Sequence, residues 1–134
     1  MIGNLNHIAI VVPDLKKAVE IYNVALGAKV SDPVDIPDHG VRVIFVELNN
    51  TKIELLFPIG KNSTVASYLE RNTSGVIHHI CYRVEDILNA KDRCIAQGLT
   101  VIGTGEPQIG AHGKPVLFLH PKDLCGTLVE LEQI

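Results

Sequence analysis

The amino-acid sequence predicts an α+β domain built from two tandem β-α-β-β-β modules. Three observations lead to this prediction: the chain has the size and composition of one globular domain, its two halves resemble each other, and each half alternates strand-like and helix-like patterns. Its 134 residues are 46% hydrophobic and 20% charged. A chain of this size can build one hydrophobic core without disulfides or a structural metal.

The internal repeat is visible in two pairs of segments. Residues 7–12 (HIAIVV) recur as residues 79–84 (HICYRV), and residues 51–55 (TKIEL) recur as residues 127–131 (TLVEL). The two pairs have slightly different spacings, as expected when small insertions accumulate in the loops of a duplicated unit.

The two modules are expected to fold together, because neither has enough apolar surface to form a core alone. We therefore predict one domain over residues 1–134. Its modules would cover about residues 1–60 and 75–134, and a short helix near residues 64–71 would link them.

The first module opens with a short apolar run rich in β-branched residues, which predicts a strand. Asp14 then has the position of a helix N-cap, and Gly27 ends the apolar pattern at helical spacing that follows it. Asn49 and Asn50 separate two further apolar runs and predict a hairpin turn. The predicted strands of this module cover residues 5–12, 29–34, 41–48 and 51–57.

The second module repeats this order. A helix is predicted from Ile87 to about Gln97, with Gly98 as its end. The predicted strands of this module cover residues 78–84, 99–103, 115–120 and 127–132.

Composition excludes several classes of partner. The net charge of −3 comes from interspersed charges with no basic run, aromatic residues make up 4%, and Trp is absent, so nucleic acid is not an expected partner. The sequence has no long apolar run and no signal-peptide pattern, so we expect no membrane association and a cytoplasmic protein. The odd number of cysteines and the absence of a C-x-x-C motif predict reduced thiols.

The repeat superposes polar residues that are unusual in apolar strands. His7 coincides with His79, and Glu54 coincides with Glu130. A single histidine there could be a core residue, and a single glutamate could face solvent from an open sheet. The repeat instead favours a metal site formed by all four side chains, because both residue types recur at equivalent positions. A buried charge also needs a partner, and a metal ion would supply one.

A neighbouring histidine competes for one of these positions. His78 precedes His79, but alternation along a strand sends neighbours to opposite faces, and the repeat selects His79 as the counterpart of His7. His39, His112 and His120 are left outside the predicted ligand set.

Two imidazoles and two carboxylates form a ligand set suited to divalent Co, Ni, Zn, Mn or Fe. Four protein ligands leave positions for substrate oxygen atoms, so the ion could polarise a carbonyl group. A carboxylate that detaches from the ion could act as the base. The pattern therefore favours proton abstraction next to a carbonyl group.

With these residues, the sequence resembles the vicinal oxygen chelate (glyoxalase/bleomycin resistance/dioxygenase) superfamily, and more narrowly the methylmalonyl-CoA epimerases. The resemblance covers essentially the whole chain. The segments that carry it are residues 5–9 (LNHIA), 51–56 (TKIELL), 78–81 (HHIC), 109–116 (IGAHGKPV), 118–123 (FLHPKD) and 126–132 (GTLVELE).

The resemblance implies a fold in which the two modules form a curved sheet around a metal site. It implies a metal-dependent racemase/epimerase that inverts the α-carbon of an acyl-CoA thioester through an enolate. His7, His79 and Glu130 match the family's metal ligands, and Glu54 stands where some members carry Gln. Co is our first candidate for the metal, with Ni, Zn or Mn as alternatives, and a homodimer is implied.

The resemblance leaves the second base unassigned. Some members carry a catalytic carboxylate on the strand aligned with Val43, and this sequence has none there. Glu130 is our first choice for one catalytic base and Glu54 is the other candidate.

Two other functions remain open at this point. Glu rather than Gln at position 54 also matches glyoxalase I, a lactoylglutathione lyase that acts on the hemithioacetal of methylglyoxal and glutathione. A metal-free binding or resistance module on the same fold is the third possibility.

Residues 110–115 predict a mobile loop near the site, because glycines permit close approach of the backbone. His112 and Lys114 are its candidate substrate-binding residues, through contacts to the carboxylate or phosphates of a thioester substrate. An ordinary turn with a solvated lysine is the alternative.

Overall fold

The computed structural model describes all residues 1–134, which divide into two compact units. The first unit is His7–His78. The second unit combines Met1–Asn6 with His79–Ile134. Backbone hydrogen bonds attach the amino terminus to the second unit, since the Gly3 amide donates to the Arg83 carbonyl at 2.7 Å.

In the first unit, the first and last strands pair in parallel, and the last strand forms an antiparallel hairpin with the strand before it. The Asp14 carboxylate accepts the Lys17 amide at 3.0 Å and so begins the helix, as predicted. The elements are β1 (Leu5–Val11), α1 (Leu15–Glu20), β2 (Lys29–Val30), β3 (Val34–Ile36), β4 (Val41–Glu47), β5 (Lys52–Pro58) and α2 (Ala66–Arg71).

The second unit repeats this pairing. Its first and last strands are again parallel, and the last strand is again antiparallel to its hairpin partner. The Asp86 carboxylate caps the helix by accepting the Leu88 and Asn89 amides. The elements are β6 (Val76–Val84), α3 (Ile87–Ala96), β7 (Gln108–Ile109), β8 (Pro115–Leu119) and β9 (Val129–Gln133).

Each unit buries an apolar face of its strands against a helix. In the first unit, side chains of β1, β4 and β5 pack with Ala18 of α1. In the second unit, side chains of β6, β8 and β9 pack with Ala90 and Cys94 of α3. This packing directs alternate side chains of the same strands to the opposite face, where the histidines and glutamates of the repeat lie.

The structure differs from the predicted elements in three places. The strand predicted over residues 99–103 was wrong, since only an isolated bridge joins Val101 to Leu119 and the short strand lies at β7 instead. Gly98 and Gly103 both have positive φ, which leaves too short an extended run. The segment 29–34 divides between β2 and β3, and the α-helix gives way after Glu20 to one π-helical turn, Ile21–Ala25.

No disulfide joins the three cysteines, of which Cys81 and Cys94 are buried and Cys125 is exposed. Burial raises the pKa of the Cys94 thiol and keeps it protonated. None of the helices is long and apolar enough to cross a membrane.

We predict that Gly40→Ala destabilises the protein more than Gly27→Ala does. Both glycines have positive φ, near +65°, a conformation that alanine adopts less readily. Each variant should therefore lose about 1 kcal/mol of its free energy of unfolding. Only at Gly40 would the new Cβ meet backbone, 2.6 Å from the Ser63 Cα. Urea denaturation should therefore show an additional loss of about 1–3 kcal/mol for Gly40→Ala. Equal losses in the two variants would contradict the close packing at Gly40.

Candidate metal centre

In the first unit, His7 and Glu54 form a buried pair. Parallel pairing of β1 with β5 places Glu54 opposite Ala9, two residues beyond His7 and on the same face of the strand. The His7 Nε2 lies 3.2 Å from the Glu54 Oε2, and the two residues are 1% and 3% exposed. A carboxylate at this depth needs a cation or strong hydrogen-bond donors.

In the second unit, His79 and Glu130 form the equivalent pair. Parallel pairing of β6 with β9 places Glu130 opposite Cys81, again two residues beyond the histidine. The His79 Nε2 lies 3.0 Å from the Glu130 Oε2, and both residues are buried. Since the register is the same in both units, the duplication preserved the geometry of the pair as well as the residue types.

An aromatic residue flanks each carboxylate on the hairpin side. Phe45 of β4 lies opposite Glu54, and Phe118 of β8 lies opposite Glu130. The Phe118 ring also meets the His79 ring edge-on, with the centroids 5.3 Å apart. Residues opposite each other in an antiparallel pair share a face of the sheet, so each phenylalanine lies on the same face as the carboxylate.

Each pair has the donor atoms and spacing of two adjacent metal ligands. Metal–nitrogen and metal–oxygen bonds of about 2.1 Å put neighbouring ligand atoms about 3 Å apart. The observed separations of 3.2 and 3.0 Å agree with this spacing. Imidazole nitrogen with carboxylate oxygen is a donor set for a divalent first-row metal, so the residues fit such an ion.

The structure thus brings the four predicted ligands together as one pair in each unit. The neighbouring histidine behaves as strand alternation predicts. The His78 ring packs against the Tyr68 ring of α2, with the centroids 4.5 Å apart.

The sequence analysis missed a hydrogen-bonded chain of three polar residues in the second unit, two of them buried and one half-buried. The His112 Nδ1 lies 2.6 Å from the Glu132 Oε2. The Asn6 side-chain amide donates to the Glu132 Oε1 at 2.5 Å. Two signals in the sequence could have revealed it: the Glu-Leu-Glu run, which puts Glu130 and Glu132 on one face of β9, and the repeat of His39-Gly40 as His112-Gly113.

The pKa of Glu132 lies below its ordinary value. Burial raises it, and the negative charge of Glu130 acts in the same direction. The hydrogen bond and electrostatic attraction of His112, together with the hydrogen bond from Asn6, outweigh these effects. Glu132 is therefore held as a carboxylate.

The loop predicted over residues 110–115 is a hydrogen-bonded turn. The Gly110 amide donates to the Lys114 carbonyl at 2.9 Å, and the Gly113 amide donates to the Gly110 carbonyl at 3.0 Å. The Lys114 side chain is exposed, whereas His112 is half-buried. Of the two predicted substrate-binding residues, only His112 contacts the buried polar residues of this unit.

With the fold and these residues established, comparison with known proteins gives the class. Residues 6–118 match the family model described as "Glyoxalase/Bleomycin resistance protein/Dioxygenase superfamily". The chain belongs to this superfamily, and its fold class was predicted correctly.

Proteins of similar sequence show which family within the superfamily the chain belongs to. The chain is 64% identical over 134 residues to the ethylmalonyl-CoA/methylmalonyl-CoA epimerase of Cereibacter sphaeroides, with all of both chains covered. It is 53% identical to the mitochondrial methylmalonyl-CoA epimerase of Homo sapiens, over 98% of this chain and 74% of the human protein. Within the superfamily, its family is that of the methylmalonyl-CoA epimerases.

The same family appears among solved structures. A methylmalonyl-CoA epimerase in complex with methylmalonyl-CoA and NH4+ superposes with a TM-score of 0.89 at 30% sequence identity. The match covers 99% of this chain and 95% of that one.

We predict that the buried Glu132 makes the stability of the protein sensitive to acid. A carboxylate with a lowered pKa contributes stability above its ordinary value of 4.5, and this contribution is lost as pH falls through the lower folded value. The free energy of unfolding should therefore fall more steeply below pH 4.5 in the wild-type protein than in Glu132→Gln. Urea denaturation at a series of pH values measures both curves.

Glu106→Gln is the matched control, because Glu106 is an exposed carboxylate whose only recorded ion pair is with Lys91. This control should keep the wild-type slope. Parallel curves for the wild-type protein and Glu132→Gln would contradict the prediction.

Proposed function

We propose that the protein is a metal-dependent epimerase that interconverts the 2R and 2S epimers of methylmalonyl-CoA by removing and returning the α-proton. The observation that carries this proposal is the presence of two buried His–Glu pairs in a chain 64% identical over its whole length to an epimerase of this kind. The name of that relative also makes ethylmalonyl-CoA a substrate to test.

The two pairs are proposed to share one divalent ion, with His7, Glu54, His79 and Glu130 as its ligands. The geometry of each pair supports this, since both present one imidazole nitrogen and one carboxylate oxygen at the spacing of adjacent ligands. Co is our first candidate, and Ni, Zn and Mn are alternatives with the same ligand preferences. When bound, the ion would act as a Lewis acid toward the carbonyl oxygens of the substrate.

The chain's own residues are proposed to move the proton. Glu130 is our first choice for the base that takes the α-proton, and Glu54 is the other candidate. Both carboxylates are buried in apolar strands opposite a phenylalanine, where electrostatic interactions with a substrate are stronger than in water.

The substrate is proposed to be held by the loop before β8. His112 is proposed to contact the reacting part of the substrate, and the exposed Lys114 to attract its anionic groups.

The protein is also proposed to be a homodimer and to act in the cytoplasm. Light scattering on a size-exclusion column would test the dimer.

We predict that the metal-loaded protein epimerises methylmalonyl-CoA and exchanges its α-proton with deuterated solvent. The assay should compare methylmalonyl-CoA, ethylmalonyl-CoA and the methylglyoxal–glutathione hemithioacetal side by side with Co, Ni, Zn and Mn. Mass spectrometry would detect deuterium, and a stereospecific coupled assay would detect inversion. Formation of lactoylglutathione without any exchange in methylmalonyl-CoA would overturn the proposal in favour of a lyase.

A second prediction concerns the metal itself. The protein should take up one divalent ion per chain, and this uptake should be lost in the His7→Ala, His79→Ala double variant. The His39→Ala, His120→Ala double variant is the matched control and should bind as the wild-type protein does. Titration calorimetry and elemental analysis provide the measurement. Absence of stoichiometric uptake by the wild-type protein would favour a metal-free binding module.

A further inference from the structure

We propose that His112 is the second proton-transfer group of the epimerisation, and that Glu132, itself fixed by Asn6, is the residue that positions it. This inference rests on the proposed epimerase function and assigns the group that the sequence left unassigned. It is carried by the hydrogen-bonded chain from Asn6 through Glu132 to His112, in which Asn6 and Glu132 are buried and His112 is half-buried.

Inversion at the α-carbon requires two groups. One group takes the α-proton, and the electron pair of the broken C–H bond is delocalised into the adjacent carbonyl groups. A second group must then give a proton to the same carbon from the opposite face, forming the new C–H bond. A single base that returned the proton it had taken would regenerate the starting epimer. After one turnover the two groups have exchanged protonation states, and exchange with solvent restores them.

The hydrogen-bonded contacts of Glu132 orient the His112 ring for this role. The Asn6 Nδ2 is a donor only, and it donates to the Glu132 Oε1 at 2.5 Å. The Oε2 lies 2.6 Å from the His112 Nδ1, and we infer that this contact keeps a proton on Nδ1. With a proton held on Nδ1, the Nε2 is the atom that accepts or donates a proton in the reaction, as in other carboxylate–histidine pairs.

The position of Glu132 places this pair at the metal-binding face of the second unit. Glu132 follows Glu130 by two residues on β9, so both side chains point to the same side of the strand. Both residues are about 6% exposed. The turn from Gly110 to Lys114 brings His112 over this face without using a residue of the strands themselves.

The two units differ at these positions, although they agree at the metal ligands. The repeat places His39 at the position of His112, but Leu56 at the position of Glu132. Leu56 is buried in an apolar cluster that also contains Val43. The carboxylate that positions a histidine is therefore present in the second unit alone.

The test uses the metal-loaded full-length chain and the variant His112→Gln. Each pure epimer is incubated in deuterated solvent, and deuterium incorporation and inversion are measured separately. We expect inversion to fall at least about 100-fold in both directions, while exchange continues from the epimer whose proton is taken by the other base. His120→Gln is the control, because His120 is an exposed histidine outside this chain of contacts.

The outcomes separate this inference from the proposed function. Inversion by His112→Gln within threefold of the wild-type rate would overturn the role of His112. Equal loss of exchange from both epimers, with unchanged metal content, would overturn it as well and indicate that His112 only binds substrate. If the wild-type protein neither exchanges nor inverts methylmalonyl-CoA, the proposed function itself fails.

A second measurement does not depend on activity. Nitrogen-15 NMR of histidine-labelled, zinc-loaded protein at alkaline pH should show the His112 proton on Nδ1. In Glu132→Gln this preference should weaken, and kcat should fall while KM changes less than about threefold. A proton on Nε2 in the wild-type protein would contradict the inference, whether or not the variant folds.

Discussion

The feature on which this structure depends is the burial of a carboxylate inside an apolar strand. Glu54 and Glu130 each stand in a run of aliphatic residues, where an isolated charge would be costly. Each is acceptable because a histidine nitrogen lies about 3 Å away on the neighbouring parallel strand. The strand order of each unit can therefore be understood as the arrangement that brings the first strand beside the last.

Parallel pairing determines which residues meet. In both units the glutamate is opposite the residue two positions beyond the histidine, and a phenylalanine lies on its other side. A shift of one residue in either pairing would turn the glutamate toward the helix-covered apolar face. The register is thus constrained from both sides, by the apolar residues packed on the helix and by the polar pair on the opposite face.

The repeat in the sequence was sufficient to predict which histidines and glutamates form the two buried pairs. His7, Glu54, His79 and Glu130 were found because equivalent positions carry the same residue type, and strand alternation correctly separated His79 from His78. The contacts among Asn6, His112 and Glu132 were missed, because the repeat places Leu56 at the position of Glu132, so matching like residues between the halves does not find this carboxylate. The strand expected over residues 99–103 failed because apolar content alone does not reveal that flanking glycines with positive φ interrupt an extended run.

The parallel pairing of first and last strands also affects how the chain folds. Neither His–Glu pair can form until the last strand of its unit has docked, since every intervening strand and helix lies between the two partners in sequence. Such nonlocal pairing is entropically costly and tends to occur late. A partly folded unit therefore presents only half of a pair, and an ion that binds both members stabilises the completed unit over its precursors. Binding of a divalent ion to these residues would in this way be thermodynamically coupled to the completion of folding.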